Sequence, residues 1–318
     1  MASSMIRVWL PEPDAAELMG GLPDGMVADV WTGDEQLPDS AGEVEVVVLP
    51  FGVPPSRMPV LAKLPRLRLI QLMSAGAENV IPFVPPGVTL CNARGVHDPA
   101  VAEWVLAVIL AQVRQLPRFL AAQQAGTWDP VRSEPLAGQT VLIVGYGSIG
   151  EAVERRLAPF DVTTERVARR SRPGVPGVPG VPGVMSMDDL PQALPRADIV
   201  ILLVPVTPAT TGLVDARFLA QLHDGALLVN AARGSIVDTS ALLAELASGR
   251  LRAALDVTDP EPLPAGHPLW SAPGLLLTPH VAGAMTTDAS RVMALVKDQL
   301  ARYAAGEPLR HVVGDQGY

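Results

Sequence analysis

The segment Val141–Gly150 constrains the fold more than any other part of this sequence. Four apolar residues run directly into the pattern Gly145-Tyr-Gly147-Ser-Ile-Gly150, and the helical pattern of residues 151–157 follows. A dinucleotide-binding βαβ unit requires this order of strand, tight turn and helix, whereas an isolated glycine turn has only a structural role. Gly145 would allow the turn, Gly147 would let a pyrophosphate approach the backbone, and Gly150 would let the helix pack against the strand. The first N–H groups of the helix would face the phosphates, which adds two candidate contacts: Ser148 and Ile149.

Composition and charge limit the classes of protein to which the chain can belong. With 318 residues, 48 % of them hydrophobic and 18 % charged, it is long and apolar enough for two globular domains. The net charge of −9 gives no general attraction for nucleic acid, and the single cysteine, Cys91, excludes an internal disulfide framework and a thiolate-rich zinc site. The start lacks the apolar core of a signal peptide, and no uncharged apolar run approaches the roughly 20 residues of a membrane span. We therefore expect a cytoplasmic protein that uses no metal and binds neither membranes nor nucleic acid.

Short apolar strands also occur before the glycine motif, where they alternate with helical segments. Four runs have the pattern of buried strands: residues 6–10, 44–49, 67–73 and 88–91. They predict a second parallel α/β sheet. Ligands of such sheets bind beyond the carboxyl ends of the strands, so Ser74–Ala77 and Asn92–Gly95 are candidate substrate loops, although ordinary turns of small residues look the same. The backbone N–H groups of Ala75 and Gly76 would bind a substrate carboxylate.

The end of the chain is predicted to return to this first sheet. An amphipathic helix is expected over about residues 287–303, and its apolar face would cover the first domain. The predicted fold class is therefore α/β with two domains. A Rossmann-type dinucleotide-binding domain takes residues 99–286, and a flavodoxin-like, parallel-sheet substrate domain takes residues 1–98 plus 287–318.

A long apolar helix is predicted between the two sheets in the sequence. Asp98 is a good N-cap and Pro99 suits the first helical position, from which the pattern runs to about Gln115. The helix is apolar on nearly all sides, so it must be buried, either between domains or in a subunit interface. We expect a homodimer built on this helix.

A cluster of arginines follows the second strand of the dinucleotide-binding domain. In NAD-selective units an acidic residue stands about 20 positions beyond the glycines and binds the ribose 2′-hydroxyl. Here that place is taken by Arg169-Arg170-Ser171-Arg172. Guanidinium and hydroxyl groups would bind a 2′-phosphate, so the cluster favours NADP(H) as the cofactor. The alternative is that these arginines form a solvated basic loop without a ligand. NAD(H) stays possible if Glu165 serves as the missing acid. The Pro-Gly-Val repeat of residues 173–184 is expected to form a loop near the adenosine end, without chemistry of its own.

Three charged residues lie at or just beyond predicted strand ends of this domain: Arg233, Glu261 and His280. They suit the reduction of a 2-keto acid, in which a hydride adds to the carbonyl carbon and a proton must reach the oxygen. His280 would supply the proton, while Glu261 would orient the ring and favour its charged form. Arg233 would hold the substrate carboxylate and polarise the carbonyl. Each residue alone has an ordinary structural explanation, but the three together behind a dinucleotide motif predict a catalytic site.

Taken as a whole, the sequence resembles the D-isomer-specific 2-hydroxyacid dehydrogenases, the family of glyoxylate/hydroxypyruvate reductases, D-lactate dehydrogenases and phosphoglycerate dehydrogenases. The resemblance covers nearly the whole chain, and its motifs are specific together rather than singly. They are residues 92–95 with 101–103, 145–150, 204–207, 230–238, 255–257 with 261–264, and 278–283.

The resemblance implies that Arg233, Glu261 and His280 are the catalytic trio, with Arg233 and His280 touching both substrate and cofactor, and it supports the homodimer. It also implies that Asp256 and the segment of residues 204–207 contact the nicotinamide side of the cofactor. The full set of further cofactor contacts is Val204, Pro205, Thr210, Ala231, Ala232, Asp256 and Gly283. The substrate side chain would be read by a third set: Met73, Ser74, Trp128 or Met285.

The leading hypothesis is therefore a reductase of small 2-keto acids, of the glyoxylate/hydroxypyruvate type, that prefers NADP(H). An NAD-linked dehydrogenase of the phosphoglycerate or D-lactate type is the alternative within the family. A non-catalytic, nucleotide-sensing interaction protein is the alternative outside it, and the intact catalytic trio argues against that reading because a sensor needs no proton donor.

Overall fold

The computed structural model describes residues 5–174, 183–285 and 288–314. The chain divides into two compact units, the first formed by Met1–His97 with Ala284–Tyr318 and the second by Asp98–Gly283. Each unit is built on one parallel sheet, of five and of six strands respectively. The predicted α/β fold class with two parallel-sheet domains is confirmed.

The bounds of the regular elements are as follows. The strands are β1 (Ile6–Leu10), β2 (Met26–Val30), β3 (Val46–Leu49), β4 (Leu69–Leu72), β5 (Thr89–Cys91), β6 (Thr140–Val144), β7 (Thr163–Val167), β8 (Ile199–Leu202), β9 (Leu227–Asn230), β10 (Arg252–Leu255) and β11 (Leu275–Leu277). The α-helices are α1 (Ala15–Leu18), α2 (Asp98–Val113), α3 (Leu116–Gln124), α4 (Ser148–Leu157), α5 (Leu190–Ala193), α6 (Ala216–Ala220), α7 (Thr239–Ala247) and α8 (Asp288–Ala305).

The first unit has the strand order β2-β1-β3-β4-β5, which is the flavodoxin-like order of doubly wound sheets. The C-terminal helix α8 belongs to this unit, because Val292, Val296 and Leu300 lie in the same buried cluster as Val8 of β1 and Leu69 of β4. The first sheet is thus completed by the two ends of the chain.

The second unit has the strand order β11-β10-β9-β8-β6-β7. A single parallel bridge between Val167 and Met185 extends it beyond β7, in the place of the third strand of a Rossmann sheet. Both faces are covered: Val200 and Leu202 of β8 lie in one buried cluster, and Ile199 and Ile201 lie in the other. All four are fully buried, and each contributes about 1.5–3 kcal/mol of burial free energy. This is why the strands appear in the sequence as unbroken apolar runs.

The structure differs from the expected elements in several places. Strand β2 at the edge of the first sheet was not predicted. The long helix ends at Val113, short of the expected Gln115, and Gln115 has a left-handed backbone with φ 55°. Helix α3, also not predicted, then starts in a new direction, 66° from α2. Asp98, expected as the N-cap, lies inside the first turn of α2. Most of the Pro-Gly-Val repeat, residues 175–182, lies outside the described residues.

Within the described ranges, no single helix is long and apolar enough to cross a membrane. Helices α2 and α3 would reach the required length and composition only as a bent pair. Half of the residues of α2 are buried in the core of the second unit, among them Val105 and Ile109. That burial accounts for the apolar side chains among these residues.

Candidate active site

The carboxyl end of the second sheet is a single row of paired residues. From the β7 edge to the β11 edge, the row is Val167, Val144, Leu202, Asn230, Leu255 and Leu277. Because the strands are parallel, the segments that follow them all emerge at this one edge of the sheet. Many of the predicted site residues lie in those segments: Gly145, Arg169, Arg170, Val204, Pro205, Ala231, Ala232, Arg233, Asp256 and His280.

The glycine turn after β6 has the shape that a pyrophosphate requires. Gly145 has φ +102°, and a Cβ atom there would lie 2.5 Å from the carbonyl carbon of Leu203 and from the nitrogen of Val204. At Gly147 a Cβ atom would meet nothing within 4 Å, so this backbone is open to a ligand. Helix α4 begins at Ser148 without a side-chain cap, which leaves its first N–H groups to bind an anion. These residues fit a dinucleotide cofactor.

Gly150 and Thr210 have roles inside the protein. A Cβ atom on Gly150 would lie 3.3 Å from Cγ2 of Ile143, so the glycine lets α4 pack closely on β6. Thr210 is only 9 % exposed, and its hydroxyl donates to the carbonyl oxygen of Pro205 at 2.6 Å while it accepts the N–H of Thr207 at 2.8 Å. The threonine thereby shapes the loop after β8, and its contact with a cofactor stays a prediction.

The arginine cluster begins two residues after β7, with Arg169, and its four residues, 169–172, are exposed. Arg172 lies across the glycine turn: its Nη2 donates to the carbonyl oxygen of Tyr146 at 2.7 Å, and its guanidinium lies 5.6 Å from the centre of the Tyr146 ring. Glu165, the alternative ribose ligand, stands inside β7 opposite Leu142 and is bound by Arg196 at 2.9 Å. Glu165 is therefore not at the strand end, where a ribose-binding acid stands.

His280 and Glu261 are brought together. Nδ1 of the histidine lies 2.5 Å from Oε1 of the glutamate, with the two side chains 48 % and 40 % exposed. The backbone of His280 is left-handed, with φ 55°. A ring held at Nδ1 by a carboxylate has a fixed orientation and presents Nε2 as its reactive nitrogen.

Asp256 holds the loop that carries His280. The carboxylate is 3 % exposed and accepts three hydrogen bonds, from the Thr278 hydroxyl at 2.6 Å, the Val281 N–H at 2.9 Å and the Ala282 N–H at 2.8 Å. Its carbonyl oxygen accepts the His280 N–H at 2.7 Å. The resemblance implied a contact between Asp256 and the nicotinamide, whereas its visible bonds position the histidine loop.

The turn after β9 carries Arg233, which is half-buried. The buried amide of Asn230 binds this turn twice, donating to the carbonyl oxygen of Arg233 and accepting from the N–H of Ala232, both at 3.0 Å. A Cβ atom on Gly234 would lie 2.0 Å from the carbonyl carbon of Thr258. Only glycine therefore lets the Arg233 turn pack against the backbone segment that leads to Glu261. Sequence reasoning missed the roles of Asn230 and Gly234, although both stand in the matching motif of residues 230–238.

The two candidate substrate loops of the first unit lie side by side. The loop after β5 holds the loop after β4 by two hydrogen bonds. The Asn92 amide donates to the Ala75 carbonyl oxygen at 2.8 Å, and the Ala93 N–H donates to the Ser74 carbonyl oxygen at 2.9 Å. Met73 is 7 % exposed, and its side chain packs in the core. Its carbonyl oxygen lies 3.1 Å from His97 Nε2. The His97 ring in turn lies 6.5 Å from the ring of Phe51, which is 59 % exposed. Sequence reasoning did not predict these contacts of Phe51 and His97.

Comparison with known proteins decides the family. Residues 106–282 match the family model of the NAD binding domain of D-isomer-specific 2-hydroxyacid dehydrogenases. The chain belongs to this family. A glyoxylate reductase of Thermofilum pendens is 34 % identical to it over 257 residues, which are 78 % of this chain and 75 % of that protein.

Two further members of the family match nearly the whole chain. A D-3-phosphoglycerate dehydrogenase of Methanocaldococcus jannaschii is 30 % identical over 97 % of this chain, which spans only 59 % of the length of that relative. The structure of an NADPH-dependent glyoxylate/hydroxypyruvate reductase of Sinorhizobium meliloti, in complex with NADP and sulfate, is 27 % identical with a TM-score of 0.83 over 98 % of this chain and 99 % of that chain. The predicted family, enzyme class and nicotinamide cofactor are confirmed.

Proposed function

We propose that this 2-hydroxyacid dehydrogenase is an NADP(H)-dependent reductase of small 2-keto acids, of the glyoxylate/hydroxypyruvate type, that forms the D-2-hydroxy acid. The observation that carries the proposal is the His280–Glu261 pair. Glu261 follows strand β10 and His280 follows strand β11, and their side chains are 2.5 Å apart. Both strands belong to the sheet that also carries the glycine turn. A proton donor is thereby held in the domain that would bind the cofactor.

The site residues divide the work of reduction. Bound NADPH would supply the hydride that adds to the carbonyl carbon of the substrate. His280, held at Nδ1 by Glu261, gives a proton from Nε2 to the carbonyl oxygen, and the neutral ring accepts it in the reverse direction. Arg233 binds the substrate carboxylate in a fork of two hydrogen bonds and stabilises the charge that grows on the oxygen. In the first unit, the backbone N–H groups of Ala75 and Gly76 are the groups that we propose for binding a substrate carboxylate.

The preference for NADP(H) is supported by the charge at the end of β7. Residues 168–172 contain three arginines and no acid, so a 2′-phosphate meets positive charge rather than carboxylate. The nearest acid along the strand, Glu165, is occupied by Arg196 at 2.9 Å. The NADPH-dependent relative from Sinorhizobium meliloti agrees with this preference.

The test is the rate of absorbance loss at the nicotinamide band, with NADPH and NADH in parallel. The 2-keto acids offered are glyoxylate, hydroxypyruvate, pyruvate, phenylpyruvate and 3-phosphohydroxypyruvate. Faster oxidation of NADPH with glyoxylate or hydroxypyruvate supports the proposal. A preference for NADH overturns the cofactor assignment, and activity confined to 3-phosphohydroxypyruvate overturns the substrate class.

The variant His280→Ala tests the proton donor. It should lose reduction of every 2-keto acid while its dissociation constant for NADPH, measured by fluorescence, changes by less than about threefold, because the imidazole acts on the substrate oxygen. His223→Ala is the matched control, since this 41 % exposed histidine pairs with Asp198 at the amino end of β8, opposite the site. Unchanged turnover in His280→Ala would sink the assignment.

A homodimer is proposed from the apolar surface around α2 and α3. Helix α3 has no buried residue, and its Leu116 and Leu120 are 48 % and 58 % exposed. Trp128, just after α3, is 94 % exposed. Large exposed apolar side chains at such short spacing in the chain favour an interface. Sedimentation should show a dimer that Leu120→Asp dissociates and Gln123→Asp, at an exposed polar position of the same helix, does not.

An NAD-linked dehydrogenase of the phosphoglycerate type is the second candidate, because the relative from Methanocaldococcus jannaschii matches over 97 % of this chain. The same assay separates the two candidates. Tight binding of NADPH without reduction of any 2-keto acid would instead favour the nucleotide-sensing alternative. A cytoplasmic location stays a prediction.

A further inference from the structure

A continuous chain of hydrogen bonds runs from helix α2 to the loop of His280. Nε1 of Trp104, on α2, donates to the hydroxyl of Thr278 at 3.0 Å. That hydroxyl donates to Oδ1 of Asp256 at 2.6 Å. The carbonyl oxygen of Asp256 accepts the His280 N–H at 2.7 Å. The three links join residues from α2, the end of β10 and the end of β11.

The direction of each hydrogen bond in this chain is fixed. An indole N–H only donates, so the Thr278 oxygen must accept from Trp104, and its single proton is left for Asp256. An ionised carboxylate only accepts, so Asp256 receives the hydroxyl together with the Val281 and Ala282 N–H groups. Thr278 is the one side chain of this arrangement that both accepts and donates. A residue without a hydroxyl there breaks both links at once.

The loop needs such support because its backbone conformation is costly. His280 has φ 55°, a left-handed conformation that is uncommon in non-glycine residues and that the surrounding structure must stabilise. The Asp256 carboxylate accepts hydrogen bonds from the N–H groups of the two residues that follow the histidine, and the Asp256 carbonyl oxygen accepts the N–H of the histidine itself. The position of the imidazole against Glu261 therefore depends on where Asp256 is held.

We propose that Thr278 and Trp104 are positioning residues for the proton donor. They touch neither substrate nor cofactor, and they act by holding Asp256, which holds His280 on Glu261. This inference rests on the proposed function only in taking His280 as the proton donor. It also ties the geometry of the catalytic histidine to helix α2, on which the homodimer is proposed to be built.

The test uses the full-length protein with Thr278→Val, which keeps the β-branched shape and removes the hydroxyl, and with Thr278→Ser, which restores the hydroxyl. Trp104→Phe breaks the chain at its other end and keeps an aromatic ring. A displaced donor should lower kcat by roughly 10- to 100-fold in Thr278→Val, with the KM for NADPH within about twofold of wild type. Proton transfer then becomes slower relative to the other steps, so the solvent deuterium isotope effect on kcat should rise. Thr278→Ser should recover most of the rate, and Trp104→Phe should show the same pattern as Thr278→Val with a smaller loss.

A second measurement needs no turnover. In the 15N-histidine spectrum of the cofactor-free protein, the ring signals of His280 are identified by their loss in His280→Ala. These signals should move in Thr278→Val and return in Thr278→Ser, while the signals of His223 stay in place. Unchanged His280 signals with an unchanged kcat would overturn the proposal, and so would a loss of NADPH binding in proportion to kcat, which indicates general misfolding. If wild type reduces no 2-keto acid but the His280 signals still move, the proposed function fails and the positioning role stands.

Discussion

Replacing Gly145 by alanine tests whether the fold itself requires a glycine at this turn or whether only the bound ligand does. The added methyl group would stand 2.5 Å from the carbonyl carbon of Leu203 and from the nitrogen of Val204. Both are backbone atoms, so no side-chain rotation relieves the contact. Gly147→Ala, two residues further along the same turn, is the matched control, because a methyl group there would meet nothing within 4 Å.

The expected loss of stability in Gly145→Ala has two parts. A non-glycine residue in the left-handed region, here at φ +102°, costs about 1–2 kcal/mol. Forcing extra volume into a packed position costs about 1–3 kcal/mol more. The free energy of unfolding should therefore fall by about 2–5 kcal/mol, a large share of the roughly 5–15 kcal/mol of a typical domain. For a unit of this size, each kcal/mol lowers Tm by about 2–4 °C.

Thermal unfolding of the cofactor-free protein measures the first effect, and titration with NADPH measures the second. Gly145→Ala should unfold about 4–20 °C below wild type. Gly147→Ala should unfold within about 2 °C of wild type, since open surface positions change stability by at most ~0.5 kcal/mol, yet it should bind NADPH at least tenfold more weakly because its methyl group occupies the space of the pyrophosphate. An unaltered Tm in Gly145→Ala would refute the steric argument, and unaltered NADPH affinity in Gly147→Ala would refute the placing of the pyrophosphate.

Three further predictions follow from other parts of the structure. Arg170→Asp should lower kcat/KM for NADPH and raise it for NADH, and an unchanged ratio of the two would exclude the arginine loop as the selectivity element. Burial raises the pKa of Cys91 from 9.0 to about 11 and that of Tyr303 from 10.0 to about 12. Because the unfolded chain loses these protons first, the free energy of unfolding should fall as pH rises from about 9 to 12. A urea midpoint that stays constant over that pH range would contradict the raised pKa values. Asn230→Ala leaves the carbonyl oxygen of Arg233 without its amide donor, which should destabilise the turn by about 1–3 kcal/mol and lower kcat/KM for 2-keto acids more than the affinity for NADPH; equal losses would indicate a purely structural asparagine.

Burial on both faces explains why the sheets were predictable from the sequence. In β8 the residues Ile199–Leu202 are all fully buried, so apolar composition alone marks the strand. Strand β2 had no such mark, because its central residues at the sheet edge are half-exposed and include Asp29, which is bound by Arg7 and Ser40. The break before α3 did have a signal, since Pro117 stands in the first turn of that helix, where proline is favoured.

The sequence predicted which residues of the candidate site lie at strand ends, but it did not predict the contacts between them. Chain order and the parallel-sheet rule bring the ends of β6 to β11 to one edge, so the cofactor and catalytic candidates could be found one by one. The bond between Trp104 and Thr278 joins residues 174 positions apart, and nothing in the local sequence of either residue indicates the other. This bears on Asp256, for which the resemblance implied a nicotinamide contact. A carboxylate has about four acceptor positions, and three of those on Asp256 are already used inside the histidine loop. One acceptor position of Asp256 is then left for a cofactor, and we propose that Asp256 serves the reaction mainly by holding the loop of His280 in place.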